Sequence, residues 1–251
     1  MKILCIGNSF STDATRYLHG VAKNAGVNIK TVNLYIGGCS LYTHYINALE
    51  DLKNYSLEFN GVTTGFKVSI KEALISDQFD MVTLQQASPF SFKTETYEPY
   101  MAFLIEYIRK YLPHTKIFIH QTWGYKPSSA RLSQMGFLTH REMYDAVEKS
   151  YADAYKKYEF GGFIPSGRAM LNLVETGVPA ESIFRDDIHA SLGMARYTQA
   201  LTWLEYLTGT PACDNSFSEF DVPVSDGEIA IAKKAASDAC AWANANGYSQ
   251  K

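Results

Sequence analysis

Two hydrophobic periods alternate along this chain. "KILCIG" (2–7) is a short unbroken apolar run, the pattern of a strand covered on both faces. "TDATRYLHGVAKNAG" follows with Leu18, Val21 and Ala25 at helical spacing; Thr12 or Asp13 can cap its start, and Gly26 suits its stop. "IKTVNLYIG" (29–37) predicts a second strand and "SLYTHYINALEDL" a second helix. "YSLEFNGVTTGFKVS" reads as a hairpin, with Asn60-Gly61 supplying the tight turn.

Beyond the hairpin the alternation resumes. "SIKEALISDQF" predicts a short helix, "DMVTLQQ" (80–86) a strand, and "YEPYMAFLIEYIRKYLP" a helix with Met101, Leu104, Ile105, Ile108 and Leu112 on one face. "KIFIHQTW" is a strand, 140–158 a helix, "GFIPSG" a short strand and 167–176 a short helix. "HASLGMARYTQALTWLEYL" and 225–246 close the chain as helices. This β-α-β-α order predicts an α/β fold, a three-layer α/β/α sandwich around a mostly parallel central sheet. The chain is expected to form one domain over 1–251, with the hairpin at about 55–69 as an insertion.

In such a sheet, function collects at the carboxyl ends of the strands. The segments that matter are therefore 7–11, 37–42, 86–92, 121–127 and 165–168, with the 184–189 loop ahead of a late helix.

Composition narrows the chemistry. Lys and Arg total 23 against 26 Asp and Glu, spread without runs, so no basic face for nucleic acid is visible. No apolar run reaches the ~18 residues of a membrane span, and residues 1–30 carry no leader pattern. Taken literally, that places the protein in the cytoplasm; a chain whose signal peptide had been removed for secretion or the periplasm would read the same way. Cys5, Cys39, Cys213 and Cys240 show no C-x-x-C spacing, which argues against a zinc or redox site.

Four strand ends carry candidate chemistry. Ser9 sits between a buried strand and a helix, where its hydroxyl can be exposed as a nucleophile or can simply cap the helix. In "FRDDIHASLG" (184–193), Asp186 lies three residues before His189. That spacing lets the carboxylate accept from Nδ1–H and leaves Nε2 free to take a proton from a serine. Gly37 and Gly38 end the second strand, so the N–H of Gly38 can approach a ligand closely. Gln85 and Gln86, at the end of a buried strand, are either satisfied structurally or aimed at a ligand.

The order Ser, Gly, amide, Asp-x-x-His resembles the SGNH (GDSL-type) hydrolase family. "IGNSFS" looks like its first block, "IGGCS" its second and "DDIHASLG" its last. The resemblance implies a flavodoxin-like sheet and a serine esterase. Ser9 would be nucleophile, His189 base, Asp186 its orienting acid, and Ser9 and Gly38 backbone oxyanion donors, with no metal or organic cofactor. The particular wording "IGNSFS", "NLYIGGCSL" and "VTLQQAS" is similar to an uncharacterised subgroup. Two departures stand out: Asn8 replaces the usual acid, and no Gly-x-Asn-Asp occurs, so the third-block asparagine is missing. Some related carbohydrate esterases use a glutamine at that strand end. This makes Gln86 the expected third donor and Gln85 the fallback, since strand alternation lets only one of them face the site.

The expected substrate is a small acyl ester, such as an acetyl ester on a carbohydrate, with Trp123, Tyr125, Phe90 and Phe92 as rings that could stack on a sugar. Two rivals remain from the residues themselves. "GNSFST" could cradle a phosphate or flavin at a helix start, but it lacks the glycine density or Gly-Lys-Ser/Thr ending of a phosphate loop. A catalytically idle carbohydrate-binding protein could also use this scaffold.

Overall fold

Ile3, Leu4, Cys5 and Ile6 are all buried because their strand has neighbours on both edges and helices over both faces. The computed structural model describes residues 1–250. Its strands are β1 (Lys2–Gly7), β2 (Lys30–Tyr35), β3 (Tyr55–Phe59), β4 (Val62–Val68), β5 (Met81–Leu84), β6 (Lys116–His120) and β7 (Gly162–Ile164). They form one seven-stranded sheet in the order β4-β3-β2-β1-β5-β6-β7. β2, β1, β5, β6 and β7 run parallel. β3 and β4 pair antiparallel around Asn60-Gly61 and extend the edge beyond β2, so the hairpin joins the main sheet.

Strand order reverses at β1: the chain steps one way to β2 and the other way to β5. Parallel crossovers are right-handed as a rule, which places the helices of two crossovers that step in opposite directions on opposite faces. On one face lie α1 (Ser9–Thr15) and α2 (Leu18–Asn24), with α8 (Ser166–Glu175), α9 (Ala180–Ile183), α10 (Met194–Thr208) and α11 (Asp226–Ala245). On the other, α3 (Leu41–Leu49), α4 (Ile70–Ser76) and α5 (Tyr100–Tyr111) pack together. The turn of α6 (Arg131–Gln134) and the long α7 (His140–Lys157) connect β6 to β7. The crevice beside a reversal of this kind, at the strands' carboxyl ends, is where doubly wound sheets hold their ligands.

Local chemistry explains the element boundaries, and in three places it departs from the periodicity. The predicted helix from Thr12 to Gly26 is two helices, and the first begins at Ser9 with Asn8 as its cap, accepting from the Phe10 N–H at 3.0 Å. The break at Arg16 and Tyr17 is held by distant partners: Arg16 donates to the Gly61 carbonyl at 2.9 Å, and the Tyr17 hydroxyl donates to the Leu192 carbonyl at 2.5 Å. The late helix predicted from His189 starts instead at Met194. Residues 184–191 are pinned as a tight loop by the Phe184–Ala190 bridge and by Ser191 N–H donating to the Ile183 carbonyl at 2.8 Å. Finally, β5 stops at Leu84, before the two glutamines, whose side chains take up tertiary bonds.

Candidate active site

Register brings three strand tips level. Ile6 of β1 faces Leu34 of β2 and Leu84 of β5, and Gly7 faces Tyr35. Gly7 is required there by close packing: a Cβ would stand 2.3 Å from the Ser11 Oγ of the following helix. The chain can therefore turn directly from β1 into α1, and the residue at the turn is Ser9.

The Ser9 hydroxyl lies 2.8 Å from His189 Nε2. His189 Nδ1 in turn lies 2.7 Å from Asp186 Oδ2. The other carboxylate oxygen, Oδ1, accepts from the N–H of Ile188 at 2.9 Å and of His189 at 2.8 Å, an Asx-type turn that folds the acid back onto the histidine. Partial burial opposes ionisation of Asp186, but these two N–H bonds and the imidazole outweigh it and hold the carboxyl at about 2. A carboxylate that stays ionised fixes Nδ1–H as the donor, so Nε2 presents a lone pair to Ser9. Hydroxyl, imidazole and carboxylate thus stand at the spacing that general-base activation requires.

Around them is a small cleft of about 180 Å3 lined by Asn8, Ser9, Phe10, Tyr35, Gly37, Gly38, Ser88, Ile188 and His189. Gly38 has φ +63°, a left-handed conformation that glycine adopts freely, and a Cβ built on it meets nothing within 4 Å. Asn8 caps the Phe10 N–H and sends its amide to the Cys39 carbonyl at 3.1 Å, tying the first strand tip to the second. A larger depression of about 830 Å3 lies at the opposite, amino ends of the strands, lined by residues such as Met1, Asp80 and Lys116, far from the Ser9–His189 pair.

The glutamines correct one expectation. Gln86 does not line the cleft. Its Nε2 donates to the carbonyl and hydroxyl of Thr96, at 3.1 and 3.2 Å, and its Oε1 accepts from Leu41 N–H and Ala87 N–H. Gln86 thus ties the loop after β5 to the start of α3 and has no amide proton left for an oxyanion. Gln85, the fallback, donates to Asn8 Oδ1 at 2.7 Å and pairs through Oε1 with His120 Nδ1 at 2.7 Å. Burial pushes the His120 imidazole down to about 3, so it is neutral and donates through Nδ1. The hydroxyl that does line the cleft from this loop is Ser88, 3.3 Å from the Tyr125 hydroxyl.

Two of the four rings, Trp123 and Tyr125, are buried and so unavailable to a sugar, and a third, Phe92, is half-buried. Trp123 is fully buried against Phe10, ring centroids 4.1 Å apart, and donates from Nε1 to the Ile188 carbonyl at 2.9 Å. It braces the histidine loop. Tyr125 is buried behind Ser88, and Phe92 packs edge-on against Phe137. Phe90 alone of the four stays exposed, at 40%.

Periodicity did not reveal a second polar chain beneath the first. Asp13 on α1 is completely buried, and its carboxylate takes Arg185 at 2.7 Å, Arg196 at 2.9 Å and the Ala190 N–H at 3.2 Å. Arg185 also donates to the Ala190 carbonyl at 2.5 Å. One buried carboxylate thereby fixes the residues on both sides of the Asp186–His189 segment relative to the helix that carries Ser9. The signal available in the sequence was an acid and an arginine lying close to the two motifs, 172 positions apart.

Among the described residues, no group of three or more His, Cys, Asp or Glu is arranged to hold a metal ion. No helix among them is long and apolar enough to cross a membrane.

The sheet order and the level strand tips define a doubly wound α/β fold, and solved structures of SGNH and GDSL-type hydrolases share it. A protein proposed to be an SGNH hydrolase, from Slackia heliotrinireducens, superposes with a TM-score of 0.58 at 21% identity, over 82% of this chain and 98% of its own. A member of the lipolytic G-D-S-L family from Veillonella parvula gives 0.53 at 17% identity, over 83% and 98%. The chain belongs to the family described as a domain of unknown function, DUF4886, whose model matches residues 2–239. A DUF4886 protein from Bacteroides uniformis shares 30% identity over 96% of this chain and 95% of its own, with a TM-score of 0.89. Comparison with curated proteins gives no match.

Proposed function

We propose that this protein is a serine ester hydrolase that removes small acyl groups through an acyl-enzyme. One observation carries the assignment: a hydroxyl, an imidazole and an ionised carboxylate in continuous hydrogen bonding, Ser9–His189–Asp186, at 2.8 and 2.7 Å. In the first step Ser9 Oγ bonds to the ester carbonyl carbon while its proton passes to His189 Nε2. The tetrahedral oxyanion then collapses, and His189 returns that proton to the departing alcohol. Water repeats the sequence on the acyl-serine and releases the carboxylic acid. Ser9 and Gly38 line the same cleft, and their backbone N–H groups would hold the oxyanion, each such donor contributing ~3 kcal/mol.

The substrate follows from size and surroundings. A cleft of about 180 Å3 is below the ~300–1,000 Å3 of pockets that engulf a drug-sized ligand. It suits an acetyl or similarly short acyl group, with the alcohol side left outside. Phe90, exposed two residues from Ser88, is the ring that could meet a carbohydrate alcohol outside the cleft. An anion cradle is less well supported, because no Lys or Arg lines the cleft.

Turnover of 4-nitrophenyl acetate by the purified protein, compared with Ser9→Ala and His189→Ala, tests the assignment. Hydrolysis lost in both variants is expected. Equal rates in all three proteins, or none in any across acetyl, propionyl and butyryl esters, would favour a binding protein on this scaffold.

A further inference from the structure

We infer that Ser88 donates the third hydrogen bond to the oxyanion, with Tyr125 as the buried hydroxyl that orients it. The inference rests on the ester-hydrolase assignment of Ser9 and His189 and identifies a residue of the same site.

The loop after β5 offers three polar side chains at the level of Ser9. Two are committed elsewhere: Gln85 to Asn8 and His120, Gln86 to Thr96 and the N–H of Leu41. The third, Ser88, lines the cleft together with Ser9, Gly38 and His189. Its side-chain partner is another hydroxyl, that of Tyr125 at 3.3 Å. A hydroxyl accepts and donates at once. With the Tyr125 O–H donating to Ser88 Oγ, the Ser88 proton is free to point at a negative oxygen in the cleft. An anion there would set both protons in that direction and polarise the pair.

The pair is also held rigidly, as a preorganised donor must be. The Ser88 carbonyl accepts from Ser91 Oγ at 2.9 Å, the Ala87 carbonyl accepts from Phe90 N–H at 2.9 Å, and the Tyr97 hydroxyl secures the Ser91 carbonyl at 2.8 Å. Behind them, His140 Nδ1 donates to the Tyr125 carbonyl at 2.5 Å. Ser88 and Tyr125 are 6% and 1% exposed, so water competes little for either hydroxyl.

The test is steady-state hydrolysis of 4-nitrophenyl acetate by wild type, Ser88→Ala, Ser88→Thr and Tyr125→Phe, beside covalent labelling of Ser9 by a fluorophosphonate run to completion. Ser88→Ala should lower kcat by about 10²-fold with KM within twofold, while Ser9 still labels fully. Ser88→Thr, which keeps the hydroxyl, should recover most of the loss, and Tyr125→Phe should fall between. If Ser88→Ala fails to fold, Ser88→Cys replaces the hydroxyl with a slightly larger, weaker donor and should also lower kcat, by less. A variant with Ser9 labelled and kcat within threefold of wild type overturns the role of Ser88 and leaves the hydrolase assignment standing. A wild type that neither labels at Ser9 nor turns over overturns both.

Discussion

Two polar chains join the same two segments, the helix that starts at Ser9 and the loop that ends near Ala190, and they are built differently. The upper one, Ser9–His189–Asp186, lies at the cleft, with the Asp186 side chain 48% exposed. Its middle member can take up and release a proton. The lower one sets Asp13, a carboxylate with no exposure, between the guanidinium groups of Arg185 and Arg196. The contrast separates two tasks. A group that moves a proton has to meet substrate, whereas a group that sets distance works best buried between its partners. Breaking a buried pair is costly because it strands a charge, so the lower chain can enforce geometry that the upper one cannot enforce by itself.

Substitutions should therefore separate rate from stability. The largest effect on rate belongs to Ser9→Ala or His189→Ala, each expected to lower kcat by about 10⁴- to 10⁶-fold while thermal unfolding stays close to wild type; kinetics and calorimetry on the same preparations check both. Asp186→Asn should follow, with kcat down about 10⁴-fold because the imidazole loses its fixed tautomer. Asp13→Ala should show the reverse pattern. We expect a stability loss of about 3 kcal/mol by denaturant titration, with the fraction that stays folded still labelled at Ser9 by a fluorophosphonate. Gln86→Ala should lose stability by about 1–2 kcal/mol, since buried N–H groups are left unpaired, with kcat within a few-fold of wild type.

The smallest effect concerns pH. The Asp186 carboxyl is held at about 2, below the ordinary value near ~3.9. Its contribution is therefore complete above about pH 4 and is lost as pH falls through about 2. Unfolding temperature measured from pH 5 to pH 2 should fall slightly more in wild type than in Asp186→Asn. The difference should be small, because the group is nearly half exposed and solvent screens it.

Local pattern carried a great deal of this molecule. The parallel strands, the hairpin at Asn60-Gly61 and the Ser9 and Asp186-x-x-His189 positions follow from residues that are neighbours in sequence: apolar runs, a turn dipeptide, a three-residue spacing. Contacts over long distances were less visible. Arg16 and Tyr17 break a helix that their own periodicity would continue, because their partners are Gly61, Leu192 and Asp221. Gln86 and Ser88 are equally polar on paper; which one reaches the cleft depends on whether Thr96 and Leu41 lie close enough to occupy the amide. Asp13 looked like a capping residue of the first helix, and its actual partners lie in the last third of the chain.

Intact-mass and peptide analysis after exposure to a fluorophosphonate tests the central claim most directly. One adduct per chain, on Ser9, formed by wild type and lost in His189→Ala, is the predicted result. No adduct, or an adduct on another residue that persists without His189, would contradict it.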